Sequence, residues 1–373
     1  MRIRSVTMFT ADLALADPFE HASSGRIEAL NDIVLRLENE DGHVGYGEVR
    51  GNVHYVTGDT PGRVLAVLRE LLAPALLGMD ATSPHAAMER IAGMVVGNSS
   101  AKTVIDSALH DLFGKALELP VHVLLGGRLQ EALPTHATLP FAAPEDTRRS
   151  ATEYLDAGFR TLKLRVGLKP FERDVERMEV VREAIDGHPG GPETVLAIDA
   201  NQGWRTKEAI RNIRRLSEFG LSFVEQPVPM GDYAGLREVR LNVDTEVMAD
   251  ESCGTPEDLL RLIREEAADA FHFKLCKAGG IGRLMKMVAI AESAGKPYVI
   301  GQMDEGMLAT ASAVHCGLVC RAKSFELWGF QRIATQPYRG IEVRDGAIHI
   351  ADRPGLGIEV DESGLDLVEH LEA

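Results

Sequence analysis

In VLAIDAN at 195–201 an apolar run closes on an acid, Asp199, and the same arrangement then repeats twice. LSFVEQP at 221–227 closes its run on Glu225, and EVMADES at 246–252 closes its run on Asp250. Each run, at 195–198, 221–224 and 246–249, reads as a buried parallel strand bounded by polar or Gly/Pro-containing segments. The acids stand about 25 residues apart, roughly one strand-plus-helix unit. Three carboxylates on successive strand ends converge on one point, and hard oxygen ligands suit Mg²⁺. Asp199, Glu225 and Asp250 are therefore candidate metal ligands.

The same rhythm extends to both sides. After Gly127, short strands alternate with amphipathic helices. Candidate strands lie at 134–139, 161–166, 195–199, 222–225, 246–250, 270–275, 298–301 and 324–327. Helices are expected between them, for example at 206–219 and at 256–267, the latter opened by a Thr255 cap. Eight strands in this alternation over roughly 200 residues fit a parallel β/α barrel. A doubly wound sheet is the alternative, but the Gly-rich stretches do not match a dinucleotide fingerprint.

Ahead of the barrel, residues 1–127 read as an α+β domain. Strand signals lie at 2–9, 33–38 and 43–48, with a turn at Asp41-Gly42. The segment at 17–26 (DPFEHASSGR) reads as a mobile loop, and 50–60 (RGNVHYVTGDT) as a second loop rich in ligand-capable side chains. From Pro61 to Leu119 the spacing is helical, with Pro120 as a stop and Gly126-Gly127 as a hinge. The tail from 335 to 373 is turn-rich and β-like. It is expected to leave the barrel (128–334) and pack on the first domain.

At 373 residues the chain has ample core for this plan, and its 45% hydrophobic and 26% charged content is that of an ordinary globular protein. A formal net charge of −16 argues against nucleic-acid or anionic-membrane partners, which want a basic face. Cys253, Cys276, Cys316 and Cys320 show no zinc spacing with nearby histidines and read as reduced, mostly buried thiols. The opening MRIRSVTMFT alternates like a strand, and no apolar run reaches membrane length, so a cytoplasmic protein is expected.

Barrel enzymes take their catalytic groups from the C-terminal ends of strands. Here those ends carry Lys163 and Arg165, then Asp199, Glu225 and Asp250, then Lys274, Asp304 with Glu305, and Glu326 with Trp328. Lys163 and Arg165 are two apart and share a face. Removing a proton α to a carboxylate yields a dianionic enediolate, which a Mg²⁺ on the substrate carboxylate stabilises. A lysine serves as base there if burial and nearby cations, such as Lys277 and the metal, depress its pKa.

These residues carry a resemblance. KLR at 163–165, IDAN at 198–201, VEQP at 224–227, ADES at 249–252 and FKLCKAGG at 273–280 resemble the enolase superfamily. Within it the chain is similar to the muconate lactonizing enzyme (muconate cycloisomerase) subgroup. The segments 101–127 (AKTVIDSALHDLFGKALELPVHVLLGG) and 354–360 (PGLGIEV) look like family segments too. The resemblance implies a capping domain over a modified (β/α)₇β TIM barrel, an α/β fold. It implies Mg²⁺, with Mn²⁺ a possible substitute, on Asp199, Glu225 and Asp250, Lys274 as sixth-strand acid/base, and a homo-oligomer. It also points to Phe19, His21, His54 and Tyr55 on the cap loops as substrate contacts, joined by Glu305 and Trp328. Asn201 and Glu251 are expected to support the metal ligands.

One departure matters. The family pattern on the second strand is usually Lys-x-Lys, and here the second lysine is Arg165, which cannot readily accept a proton. A two-base racemase needs a base on each face. The expectation is thus a Mg²⁺-dependent isomerase of a small carboxylate, cycloisomerase-like, with Lys274 as its base and Arg165 holding an anion. The open alternatives are a racemase/epimerase in which Lys163 replaces the missing base, a dehydratase, or a metal-dependent ligand binder without catalysis.

Overall fold

Residues 1–21, 25–167 and 169–373 of this computed structural model are described, without the side chains of Asp17, Phe19, Glu20 and His21. The N-terminal sheet is built on three antiparallel strands: β1 (Ile3–His21), β2 (Gly25–Asn39) and β3 (Val44–Arg50). Period-two alternation puts Val6, Met8, Ile33, Leu35 and Leu37 inside. Against them lies the helix Ser99–Ala116, which turns Ala101, Val104, Ile105, Ala108, Leu109 and Leu112 inward at three- and four-residue spacing.

The expected loop at 17–26 is corrected by the strand ladder. Phe19 pairs with Ile27, Glu20 with Arg26 and His21 with Gly25, so 17–21 and 25–26 continue the β1–β2 hairpin. Ala22–Ser24 lie outside the described residues. The second loop, beyond Arg50, has no regular structure up to Thr60, whose side chain caps the helix Pro61–Val67.

The eight parallel barrel strands are Ala137–Leu139, Thr161–Arg165, Val195–Asp199, Phe223–Glu225, Glu246–Ala249, Ala270–Lys274, Tyr298–Gly301 and Ser324–Glu326. They pair in chain order. The first and last meet through a parallel bridge, Thr135 to Phe325, and the amide of His136 donates to the Phe325 carbonyl at 2.7 Å. The sheet thus closes on itself, which a doubly wound sheet cannot do. Ala197, Phe223, Met248, Ala270 and Val299 fill its lower interior. The anticipated Thr255 cap is present: its hydroxyl accepts from the Asp258 amide while Asp258 accepts in return.

The stretch from 335 onward divides its contacts. The hairpin Ile341–Arg344 and Ala347–Ile350 pairs with Leu133–Pro134 beside the barrel's first strand, because its turn reaches the Thr135 amide. Farther on, the Leu356 amide donates to Asp111 of the cap helix at 2.7 Å, and Asp366–Glu372 pairs antiparallel with β1.

Candidate active site

Strand register assembles the site. Arg165, Asp199 and Glu225 stand level on the second, third and fourth strands, and Lys274, Gly301 and Glu326 stand level on the sixth to eighth. Asp250 follows the fifth strand immediately. A small cavity is lined by Lys163, Arg165, Asp199, Asn201, Asp250, Glu251, Lys274, Asp304, Glu326 and Trp328. Tyr55 from the second cap loop also lines it.

Loops immediately after the strands hold the acids in place. Asn201, at φ +41°, donates its amide and its side chain to the two oxygens of Asp199, each at 2.8 Å. Gln226, at φ +33°, accepts from the Asp250 and Ser252 amides at 3.0 and 3.1 Å and donates to Ser252 Oγ. Left-handed backbone at two non-glycine residues is strain of the kind that clusters at functional sites. Sequence reasoning missed Gln226, although it directly follows Glu225.

Charge in this cluster is tightly shared. Lys163, wholly buried, places Nζ 2.7 Å from Glu225 and 2.7 Å from Glu326. Lys274 Nζ lies 2.6 Å from Asp250 Oδ2, and Lys277 binds Asp250 from the other side. Burial opposes the charge on Lys274, but Asp250, Glu326 and Glu225 outweigh it and hold the ammonium well above the ordinary lysine value. In this arrangement the neighbours of Lys274 are carboxylates, and Lys277 also engages Asp250. Lys163 is likewise raised, against its burial, by Glu225, Glu326 and Asp199.

The acids respond in opposite directions. Burial works against ionised Glu225, but Lys163 and His272 bring it down to about 2. Asp199 is pushed up to about 7 by burial and by Glu225 and Asp250. Glu251 is raised well above the usual carboxylate range by burial and by Asp250 and Asp199. The cluster therefore holds more negative charge than its lysines neutralise, and a divalent cation fits it. Glu225, Asp250 and His272 bring one donor atom each within 4.8 Å of one another. His272 was not expected: ligand spacing along the chain does not reveal it, but its place two residues before Lys274 puts both on one face.

Other expected contacts divide. Trp328 lines the cavity and also packs edge-on against Tyr154, ring centroids 5.1 Å apart. Glu305 is buried away from the cavity and faces the cap, where burial and Asp32 push its carboxyl up to about 7. Asp304 takes its place, 3.4 Å from the Arg165 guanidinium. His54 stays exposed with its ring edge-on to Tyr55 at 5.7 Å. Phe19 and His21 fall within β1, but their side chains lie outside the described ones.

Comparison with known proteins agrees with this architecture. Residues 3–126 match the mandelate racemase / muconate lactonizing enzyme N-terminal domain, and residues 146–364 match the enolase C-terminal domain-like family. An L-Ala-D/L-Glu epimerase of Clostridium acetobutylicum is 35% identical over 96% of this chain and 99% of its own. A chloromuconate cycloisomerase of Cupriavidus necator is 32% identical over 99% of both chains. The crystal structure of a dipeptide epimerase from Cytophaga hutchinsonii, complexed with Mg and the dipeptide D-Ala-L-Val, superposes with a TM-score of 0.90. It is 30% identical and covers 99% of each chain. With both domains matched and the fold in common with these isomerases, the chain belongs to the mandelate racemase/muconate lactonizing enzyme family of the enolase superfamily, and it is an isomerase.

Proposed function

We propose that the protein is a Mg²⁺-dependent isomerase of a small carboxylate that moves a proton on one face only, with Lys274 as acid and base. The observation that carries this reading is the pair across the cavity. Lys274 on the sixth strand and Arg165 on the second stand four strands apart in a ring of eight, and both line the cavity. One is a lysine and the other an arginine, so a proton can be accepted from one side and not from its opposite. That asymmetry favours cycloisomerisation, the reaction named for the Cupriavidus relative, over two-base epimerisation.

A bound divalent cation would supply positive charge against the dianion that develops when the α-proton leaves, and would compete with Lys274 for Asp250. Asp199, Glu225 and Asp250 would hold it, with Asn201 and Gln226 fixing their orientation. Lys274 Nζ takes the proton and returns it. Arg165 binds the substrate's far anionic group with two parallel donors. Tyr55 and Trp328 shut out water. In this scheme residues 1–127 act as the cap, 128–334 as the catalytic barrel and 335–373 as a returning tail.

The epimerase relatives make a second reading worth testing in the same tube. With Mg²⁺ in D₂O, a panel of muconolactones, N-acyl amino acids, dipeptides, betaines and sugar acids is followed by proton NMR. One class is expected to lose its α-hydrogen with retention of configuration, and Lys274→Ala should abolish that exchange. Appearance of the deuterated epimer would overturn one-sided chemistry. Substantial residual exchange in Lys274→Ala would remove Lys274 as the base.

A further inference from the structure

We propose that the seam between cap and barrel holds a second ligand site, separate from the strand-end cavity. It takes a small organic anion, with one carboxylate or phosphate head on an apolar body. The inference stands independently of the reaction proposed above.

The site is a cavity of about 290 Å³, close to the lower bound of small-molecule sites. Three helices wall it. Pro84–Met94 and Ser99–Ala116 belong to the cap, and Ile281–Ser293 follows the barrel's sixth strand. Half-buried Met88, Ala92 and Leu125 supply apolar surface. Lys102, Arg283 and Lys286 bring positive charge to the same cavity, in a chain whose net charge is −16.

The acids of the lining are already matched. Glu89 lies 3.3 Å from Lys286, and Asp106 lies 3.1 Å from His110. Burial works against charge on His110, but Asp106 raises it above the ordinary histidine value. Asp106 also accepts from the Gly282 amide at 3.0 Å. Lys102 and Arg283 remain. Arg283 reaches Glu257, an exposed acid outside the lining, at 3.1 Å. Among the described residues Lys102 makes no ion pair; its ammonium donates to the Val95 carbonyl at 2.7 Å and has two further protons to give. The stems of Lys102 and Arg283 flank Gly279, where a Cβ would stand 3.8 Å from Lys102 Cβ and 3.6 Å from Arg283 Cδ. Burial, and then Arg283, depress the Lys102 ammonium below the ordinary lysine value.

Two cations that repel each other beside apolar surface are the makings of an anion site. A head group between them replaces repulsion with charge-assisted hydrogen bonds, and the guanidinium fork suits a carboxylate or phosphate. The body of the ligand would cover Met88, Ala92 and Leu125. Occupancy would also tie the cap to the barrel. Gly279 ends the helix Leu275–Ala278, whose first carbonyl accepts from Thr103, the neighbour of Lys102, at 2.8 Å.

Isothermal titration calorimetry of the full chain with phenyl phosphate, inorganic phosphate and phenol separates head from body. Phenyl phosphate is expected to saturate with a Kd of roughly 1 mM or below, at least about tenfold tighter than inorganic phosphate, with no saturable heat from phenol. Lys102→Gln and Arg283→Gln should each weaken it about tenfold or more, whereas Arg165→Gln, in the strand-end cavity, should leave this binding in place. Hydrogen exchange at the Gly279 and Gly280 amides should slow when phenyl phosphate is bound. Equal affinity for phosphate and phenyl phosphate overturns the apolar body. Absence of saturable binding to wild type overturns the site, as does binding that Arg165→Gln removes and the two other variants retain. Should one of those two fail to fold, the other decides together with exchange at Gly279 and Gly280.

Discussion

Arg165 and Lys274 differ in what they can do with a proton, and a single substitution tests whether that difference sets the stereochemistry. Arg165 sits level with Asp199 and contacts Asp304. A lysine at that position has a pKa within reach of general-base chemistry, whereas a guanidinium does not. Arg165→Lys is therefore expected to introduce slow exchange from the opposite face, visible as deuterated epimer accumulating beside the retained product. Unchanged stereochemistry would count against Arg165 as the reason for one-sidedness. The strand-end positions of Asp199, Glu225, Asp250 and Lys274 were legible in the sequence because each ends a short apolar run. Asp304 and Glu305 were not separable, because the backbone is left-handed at Asp304 (φ +54°) and strand alternation cannot be carried past Gly301. His272 was hidden differently: its partners Glu225, Asp250 and Glu326 come from three other strands, so no spacing along the chain announces it.

Among the elements, β3 and the helix Ser99–Ala116 approach each other closely in the cap, and glycine is the reason. A Cβ on Gly47 would stand 2.1 Å from the Val104 carbonyl oxygen and 2.8 Å from the Ala108 amide nitrogen. Both are helix backbone, which cannot swing aside as a side chain can. Gly47→Ala should therefore separate strand from helix and cost about 1–3 kcal/mol, the usual range for overpacking. Urea denaturation followed by far-UV circular dichroism measures it, and a loss under about 0.5 kcal/mol, the scatter of neutral surface changes, would show that the contact relaxes. The helix itself was readable from its spacing, and the barrel strands from their alternation with helices. The hairpin continuing through Asp17–His21 was not, since Ser and Gly mark a turn without telling how far the flanking strands run. Cross-strand pairing decides that.

At the scale of the whole molecule, the cap is locked to the barrel by buried acids meeting the start of the helix Met307–Leu318. Asp32 on β2 accepts from the Gly306 amide at 3.2 Å, and Glu48 on β3 accepts from the Ala309 amide at 2.8 Å. Arg50 donates to the Met303 carbonyl, so one seam grips the loop that carries Asp304 to the cavity. Burial pushes Asp32 up to about 6 although Arg50 opposes it. Glu48 is raised well above the usual range by burial and then by Asp32. The folded state therefore keeps protons that the unfolded chain releases. The stabilisation tied to Asp32 is complete below its ordinary value of 3.8 and is lost as pH climbs through about 6. A shift of about two units bounds its contribution at roughly 3 kcal/mol. Asp32→Asn keeps an acceptor for Gly306 and cannot ionise. Thermal unfolding between pH 5 and 8 should then show a gentler decline than wild type, with the variant gaining relative stability toward pH 8. Amide exchange at Gly306 and Ala309 should quicken with pH in wild type more than in the variant. Parallel pH profiles for the two proteins would show that Asp32 does not carry the linkage and that the cap is held by its packing alone.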